Sequence, residues 1–545
     1  MPRKLWWGLA ACRPRSSQAF LGAVWTLLVV SLIALSAGAA RADGPTTAPR
    51  ARIAQGDLQG VALKDGVAAF LGIPYAAPPV GDLRWRPPAP PLAWQGVRRA
   101  LDFGASCMQT ISPRGYEPYT REYVTRGPVS EDCLYLNVWT PPHRRNAGLP
   151  ILVWIHGGGF VAGSGSVDVY NGEALARDAG IIVVTVNYRL GVFGFFSHPE
   201  LSREGVNGNQ AGYDVIAALR WVRDNARAFG GEPNRVTIAG QSGGAEMVNA
   251  LLIAPRARGL FAGAIAQSFP IGVLPTNADL GAAQAPGLKL AQSLGVSSLA
   301  ALRAVDPQTI LARAGRSYAW PACPACFFVD GDFVQQEPAR TFANRQQSDV
   351  PTMAGFVAEE SPFPTTLESY PSQVAARYGA LQPDFLKLFP AATDVDALAQ
   401  ARLSGRERLL VGVQRWALVR ARTSRTPIFL YEYEHTEPGP QSAKFQTFHT
   451  AEVPYVFGTL DATPERGFTQ QDREISARMM RYWANFVKTG DPNEKSLPQW
   501  KPATSSRPPF TMELGDRWGA YPPIPAAHRN FFDRYYDAGG PPFLF

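Results

Sequence analysis

Short runs of apolar, largely β-branched residues recur along this chain between stretches with helical spacing. Ile151–Ile155 (ILVWI), Ile181–Val186 (IIVVTV), Val236–Ala239, Ala264–Ala266, Val350–Val357 (VPTMAGFV) and Pro427–Tyr433 (PIFLYEY) are apolar almost without interruption. Continuous rather than alternating hydrophobicity marks strands covered on both faces. Between them, Val215, Ala218, Leu219 and Val222 fall on one stripe of a helix predicted over Ala211–Phe229. A second helix is expected to begin directly after Ser242 and run through Met247, Leu251 and Leu252, and a third to cover about Arg473 to Lys488. Strands alternating with helices predict an α/β fold, a large and mostly parallel sheet with helices on both faces. Ligands of such sheets bind beyond the carboxyl ends of the strands, so the chemistry belongs in the loops that follow them.

The first 42 residues follow a different pattern. Arg3, Lys4, Arg13 and Arg15 make a basic start, Phe20–Ala37 carries no charge, and Ala40-Arg41-Ala42 is a small-x-small cleavage pattern. This predicts a signal peptide removed after Ala42, general secretory export to the periplasm or medium, and one domain over residues 43–545. The competing reading is an uncleaved anchor, since the apolar run is near the ~18 residues at which spanning begins. The segment holds five basic and no acidic residues, so its removal takes the formal net charge from +8 to +3. The full chain is 46% hydrophobic and 18% charged, with no charge run or repeat from residue 50 onward. Nothing in it calls for a nucleic acid or an anionic surface as partner, and no stable membrane partner is expected after cleavage.

Cys12 leaves with the signal, and Cys107, Cys133, Cys323 and Cys326 remain. An even number in an exported chain predicts oxidised pairs. Cys107–Cys133 is the favoured pair, closing a ~25-residue loop worth roughly 3 kcal/mol on a loop-entropy account. Cys323-Pro-Ala-Cys326 reads as a tight structural disulfide, because two cysteines make half a zinc site and no histidine lies nearby.

Gly240-Gln241-Ser242-Gly243-Gly244 is G-x-S-x-G, preceded by the apolar strand VTIA and followed by a helix, the setting of a nucleophile elbow. A serine hydroxyl needs a base, and in this architecture acid and base follow the nucleophile along the chain. Of six histidines, His435, His449 and His528 come after Ser242. His449 lies in the polar stretch beyond PIFLYEY, where a loop at the carboxyl edge should be. His435 reads as a surface residue beside Glu434 and Glu437, and His528 sits in a proline-rich tail. The acid should follow an intervening strand, and Glu359 and Glu360 come straight after VPTMAGFV. They point in different directions, so one of the two serves, and the pattern leaves open which. His156-Gly157-Gly158-Gly159-Phe160 follows ILVWI and has the form of an oxyanion loop, with side-chain-free residues that let amides face a substrate.

These motifs, with Phe70–Tyr75 (FLGIPY), Gly81–Pro88 (GDLRWRPP), Glu131–Asn137 (EDCLYLN), Asn187–Gly191 (NYRLG), Ala228–Gly231 (AFGG) and Tyr482–Asn493 (YWANFVKTGDPN), make the chain resemble the type-B carboxylesterases from about residue 50 to 540. The resemblance implies an α/β-hydrolase fold and hydrolysis of small-molecule carboxylic esters, with no metal or organic cofactor. Through Pro351, Gly355, Glu359 and Glu360 it implies Glu360 as the acid, and through Glu452–Gly458 (EVPYVFG) it implies His449 as the base. It also implies oxyanion donors at Gly158, Gly159 and Gly243, and a first disulfide at Cys107–Cys133. The chain departs from the pattern at Gln241, where glutamate is usual, at Gly243, where alanine is usual, and at Ser361, where glycine is usual. No tryptophan lies between Cys107 and Cys133, though Tyr116, Tyr119 and Tyr123 are placed to line an entrance. A cationic ester would therefore lose both an ion partner and the best cation–π face, so non-cationic esters of small to medium size are expected. The alternatives are a lipase acting on long-chain acylglycerols and a non-catalytic adhesion protein on the same fold.

Overall fold

The apolar runs assemble into one eleven-stranded sheet. The computed structural model describes residues 48–142, 147–268, 279–318, 326–360 and 364–541. In chain order the sheet strands are β1 (Val61–Ala62), β2 (Ala68–Pro74), β3 (Tyr135–Thr140), β4 (Leu149–Ile155), β5 (Ile182–Val186), β6 (Gly231–Gln241), β7 (Gly263–Gln267), β8 (Thr352–Val357), β9 (Ile428–Tyr433), β10 (Met512–Leu514) and β11 (Gly519–Ala520). Their order across the sheet is β11-β10-β9-β8-β7-β6-β4-β5-β3-β2-β1. From β5 through β4 and on to β10 every neighbour is parallel, and the strands at both edges are antiparallel.

Every residue of β4, β5, β7, β8 and β9 is buried, as their continuous hydrophobicity requires. Two core clusters account for this, one on each face. The first holds Ile151, Val153 and Ile155 of β4, and the second Leu152 and Trp154 of the same strand.

The helices that cover the sheet include α1 (Gln210–Asn225), α2 (Gly243–Ile253), α3 (Asp394–Thr423) and α4 (Gln470–Thr489). The predicted α1 stripe is buried, and the remainder of that segment, Ala226–Phe229, tightens into a 3-10 turn. Helix α4 starts on a capping box in which the Thr469 side chain and Asp472 exchange bonds with each other's backbone N–H.

Cys107 and Cys133 are joined in a disulfide. Cys326 is likewise disulfide-bonded, while Cys323 and the predicted signal peptide lie outside the described residues. No helix among the described residues is long and apolar enough to cross a membrane.

Candidate active site

Strand β6 ends at Gln241 and helix α2 begins at Gly243, so Ser242 alone makes the turn. Its backbone is at φ 56° and ψ −125°, a left-handed conformation that side chains other than glycine rarely adopt. The turn is held by Ser242 N–H donating to the Gln267 carbonyl at 2.9 Å and by its own carbonyl accepting from Glu246 N–H at 3.0 Å. Gly244 is required by close approach: a Cβ there would lie 2.0 Å from the Ile155 carbonyl oxygen of β4. The helix therefore rises straight off the sheet, with the serine half-buried at its foot.

The loop after β4 packs against this turn. A Cβ on Gly157 would lie 3.1 Å from Ser242 Cβ, and one on Gly243 would lie 3.4 Å from the amide nitrogens of Gly159 and Phe160. Gly158 is at φ 104° and Gly159 at φ 58°, backbone conformations that favour glycine. A Cβ on Gly159 would meet nothing within 4 Å, whereas one on Gly158 would strike the Ala162 carbonyl at 2.2 Å. His156, at the head of the loop, is buried against Tyr188 with ring centroids 4.5 Å apart, and burial lowers its pKa to about 4. It stays neutral and structural, its Nδ1 2.9 Å from the Gly157 carbonyl.

The loops after β8 and β9 meet through a backbone bridge between Glu359 and Phe448, with Glu359 N–H donating to the Thr447 carbonyl at 3.1 Å. This places His449 Nδ1 in a hydrogen bond with Glu360 Oε2. The other carboxylate oxygen, Oε1, accepts from Val357 N–H at 2.9 Å. Tyr119 donates its hydroxyl to the His449 carbonyl at 2.9 Å, and Thr450 follows the histidine at a strained φ of 96°. Glu359 faces away and pairs with Arg402 (3.1 Å) and Arg406 (3.3 Å) of α3. Burial raises the Glu359 pKa, and the two arginines oppose that.

His449 Nε2, the nitrogen opposite Glu360, lies 3.1 Å from Gln241 Nε2. Sequence reasoning marked Gln241 as a departure without assigning it a contact. In this conformation the Ser242 hydroxyl makes no hydrogen bond to another described residue. The structure thus brings Glu360 and His449 together, and through Gln241 brings the elbow beside the imidazole. Ser361 lies outside the described residues.

Two readings of the other histidines are corrected. His435 is buried rather than on the surface, its ring held between Asp472 (2.8 Å) and Asp516 (2.6 Å). His528 lies on a helix, Ala526–Asp537, and its Nδ1 meets Glu407 of α3 at 2.8 Å. Of the three tyrosines, Tyr119 reaches the site, Tyr123 is buried against Glu437, and Tyr116 is 63% exposed.

A cavity of about 1150 Å³ opens beside the acid–base pair, lined by residues that include Tyr119, Glu360, Tyr378, Phe385, Phe448 and His449. Its wall carries Arg377, Arg402, Arg406 and Arg408.

The chain is similar to known carboxylesterases over most of its length. The profile of the carboxylesterase family matches residues 47–378 and 396–519. Fumonisin B1 esterase of Sphingopyxis macrogoltabida is 36% identical over 486 residues, 85% of either chain. Phenmedipham hydrolase of Pseudarthrobacter oxydans is 34% identical over 496 residues, 86% of this chain and 96% of its own. A solved structure of PNB esterase superposes with a TM-score of 0.74 at 30% identity, covering 89% of this chain and 100% of that one.

Proposed function

The chain belongs to the carboxylesterase family and is a serine carboxylic ester hydrolase, and from that premise we propose that Ser242, His449 and Glu360 are its catalytic triad. Ser242 Oγ attacks the ester carbonyl while His449 Nε2 takes its proton, and Glu360 holds the ring and offsets the charge that forms on it. The oxygen of the tetrahedral intermediate is received by the N–H groups of Gly158, Gly159 and Gly243. His449 returns the proton to the departing alcohol, and water activated by the same ring then frees the acyl group. The single observation that carries the assignment is the hydrogen bond between His449 Nδ1 and Glu360, with Nε2 of the same ring turned toward the elbow.

Small to medium, non-cationic esters are the proposed substrates. A neutral Gln241 beside the nucleophile, where the family usually has glutamate, leaves a cationic group without an ion partner there. The chain is exported after cleavage at Ala42, in keeping with the Cys107–Cys133 disulfide. Hydrolysis of nitrophenyl esters from C2 to C16 by the mature chain tests the substrate reading. A maximum among short chains is expected. Rates that rise with chain length and jump at an oil–water interface would instead indicate a lipase.

A further inference from the structure

We propose that the side-chain amide of Gln241 is a positioning group for the catalytic base, holding the neutral His449 ring at Nε2 and releasing that nitrogen to Ser242 as the reaction begins. This rests on the triad reading above.

A carboxylate accepts hydrogen bonds, so Glu360 at Nδ1 fixes the His449 proton on that nitrogen and leaves Nε2 with a lone pair. The neighbour of that lone pair is the Gln241 Nε2 amide at 3.1 Å, which is a donor. Gln241 is itself 2% exposed. Its Oε1 end rests against Gly157, where a Cβ would come within 2.9 Å. The ring is therefore fastened at both nitrogens, and Tyr119 fastens the backbone of the same residue. A buried glutamine needs a partner for its amide, and many groups would serve. Here the partner is the atom that must receive the serine proton.

Two consequences follow. A donor aimed at the lone pair is satisfied only while Nε2 carries no proton. Once the Oγ proton has moved to Nε2 and Oγ has bonded to the carbonyl carbon, the new N–H points toward the departing oxygen, and Gln241 can meet it from the side only through Oε1. An amide can serve both states, whereas a carboxylate can only accept and favours the cation. Among the described residues, the charged groups that bear on His449 include Glu360 and Glu452, the latter at the start of the helix Val453–Phe457. Glu359 is neutralised by Arg402 and Arg406. All of these are unchanged when residue 241 alone is replaced.

The test is the pH dependence of kcat/KM on nitrophenyl butyrate for the wild type, Gln241→Glu and Gln241→Met, with thermal melts confirming that each is folded. The acid limb should move to higher pH in both variants: by roughly one unit or more for Gln241→Glu, whose carboxylate faces the imidazolium, and by less for Gln241→Met, which only loses the donor. Acid limbs that coincide for all three proteins overturn the proposal. Wild-type hydrolysis that survives Ser242→Ala overturns the triad reading instead, so the two failures are distinguishable.

Discussion

Two adjacent carboxylates do different work. Glu360 meets His449, while Glu359 meets two arginines more than forty positions further along the chain. Glu360→Gln should lower kcat by about 10⁴, since a neutral amide neither fixes the ring tautomer nor offsets its charge. Glu359→Gln should leave kcat within a few-fold and act on stability, because it takes the carboxylate from Arg402 and one of three from Arg406, which also pairs with Glu432 and Glu434. Steady-state kinetics and melting curves of the pair separate the roles, and the reverse pattern would reassign the acid. Sequence pattern alone could not make this distinction, because the choice is fixed by arginines brought in by α3. Resemblance to a family implied Glu360, and Glu360 is the carboxylate that meets the histidine. The contact of Gln241 with His449 was not legible at all, since it joins the carboxyl end of β6 to the loop after β9, 208 positions apart along the chain.

At the level of elements, the central strands were legible because they are buried on both faces and so admit almost no polar residue. The edges were not. β1, β10 and β11 are two or three residues long, too short to show a period. Helix α3 also escaped, although it runs for 30 residues. Its buried side chains include Ser404, Glu407, Arg408, Gln414 and Arg420, which interrupt the apolar stripe that would have announced it. The elbow supplies a test at this scale. Gly244→Ala would drive a methyl group into the carbonyls of Ile155 and His156, both on the backbone, and should cost about 1–3 kcal/mol. Gly405→Ala in α3 meets nothing within 4 Å and should instead gain about 0.5–1 kcal/mol. Urea midpoints of the two variants should therefore move in opposite directions. A Gly244→Ala protein as stable as the wild type would mean that α2 and β4 are not packed as described.

For the molecule as a whole, buried carboxyls set the dependence of stability on pH. Burial raises Glu246 to about 8, and Glu437 and Glu452 to about 7, with the nearby Glu360 adding to the shift at Glu452. Oε1 of Glu246 is buried without a hydrogen-bond partner. A carboxyl raised in the folded state keeps its proton there after the unfolded chain has lost its own, so its contribution is full below about pH 4.5. It is lost as pH rises toward 8, at about 1.4 kcal/mol per unit. Glu246→Gln removes that slope: the variant and the wild type should melt together at pH 5, and the variant a few degrees higher at pH 8.5. Equal melting temperatures at both pH values would show that Glu246 is ionised and solvated. The central claim, that one hydroxyl at the end of β6 carries the chemistry, is reached most directly by treating the mature protein with a fluorophosphonate and mapping the adduct by mass spectrometry. The account predicts a single adduct on Ser242, appearing in step with the loss of ester hydrolysis. Activity that disappears with the adduct elsewhere, or that persists with Ser242 fully modified, would contradict it.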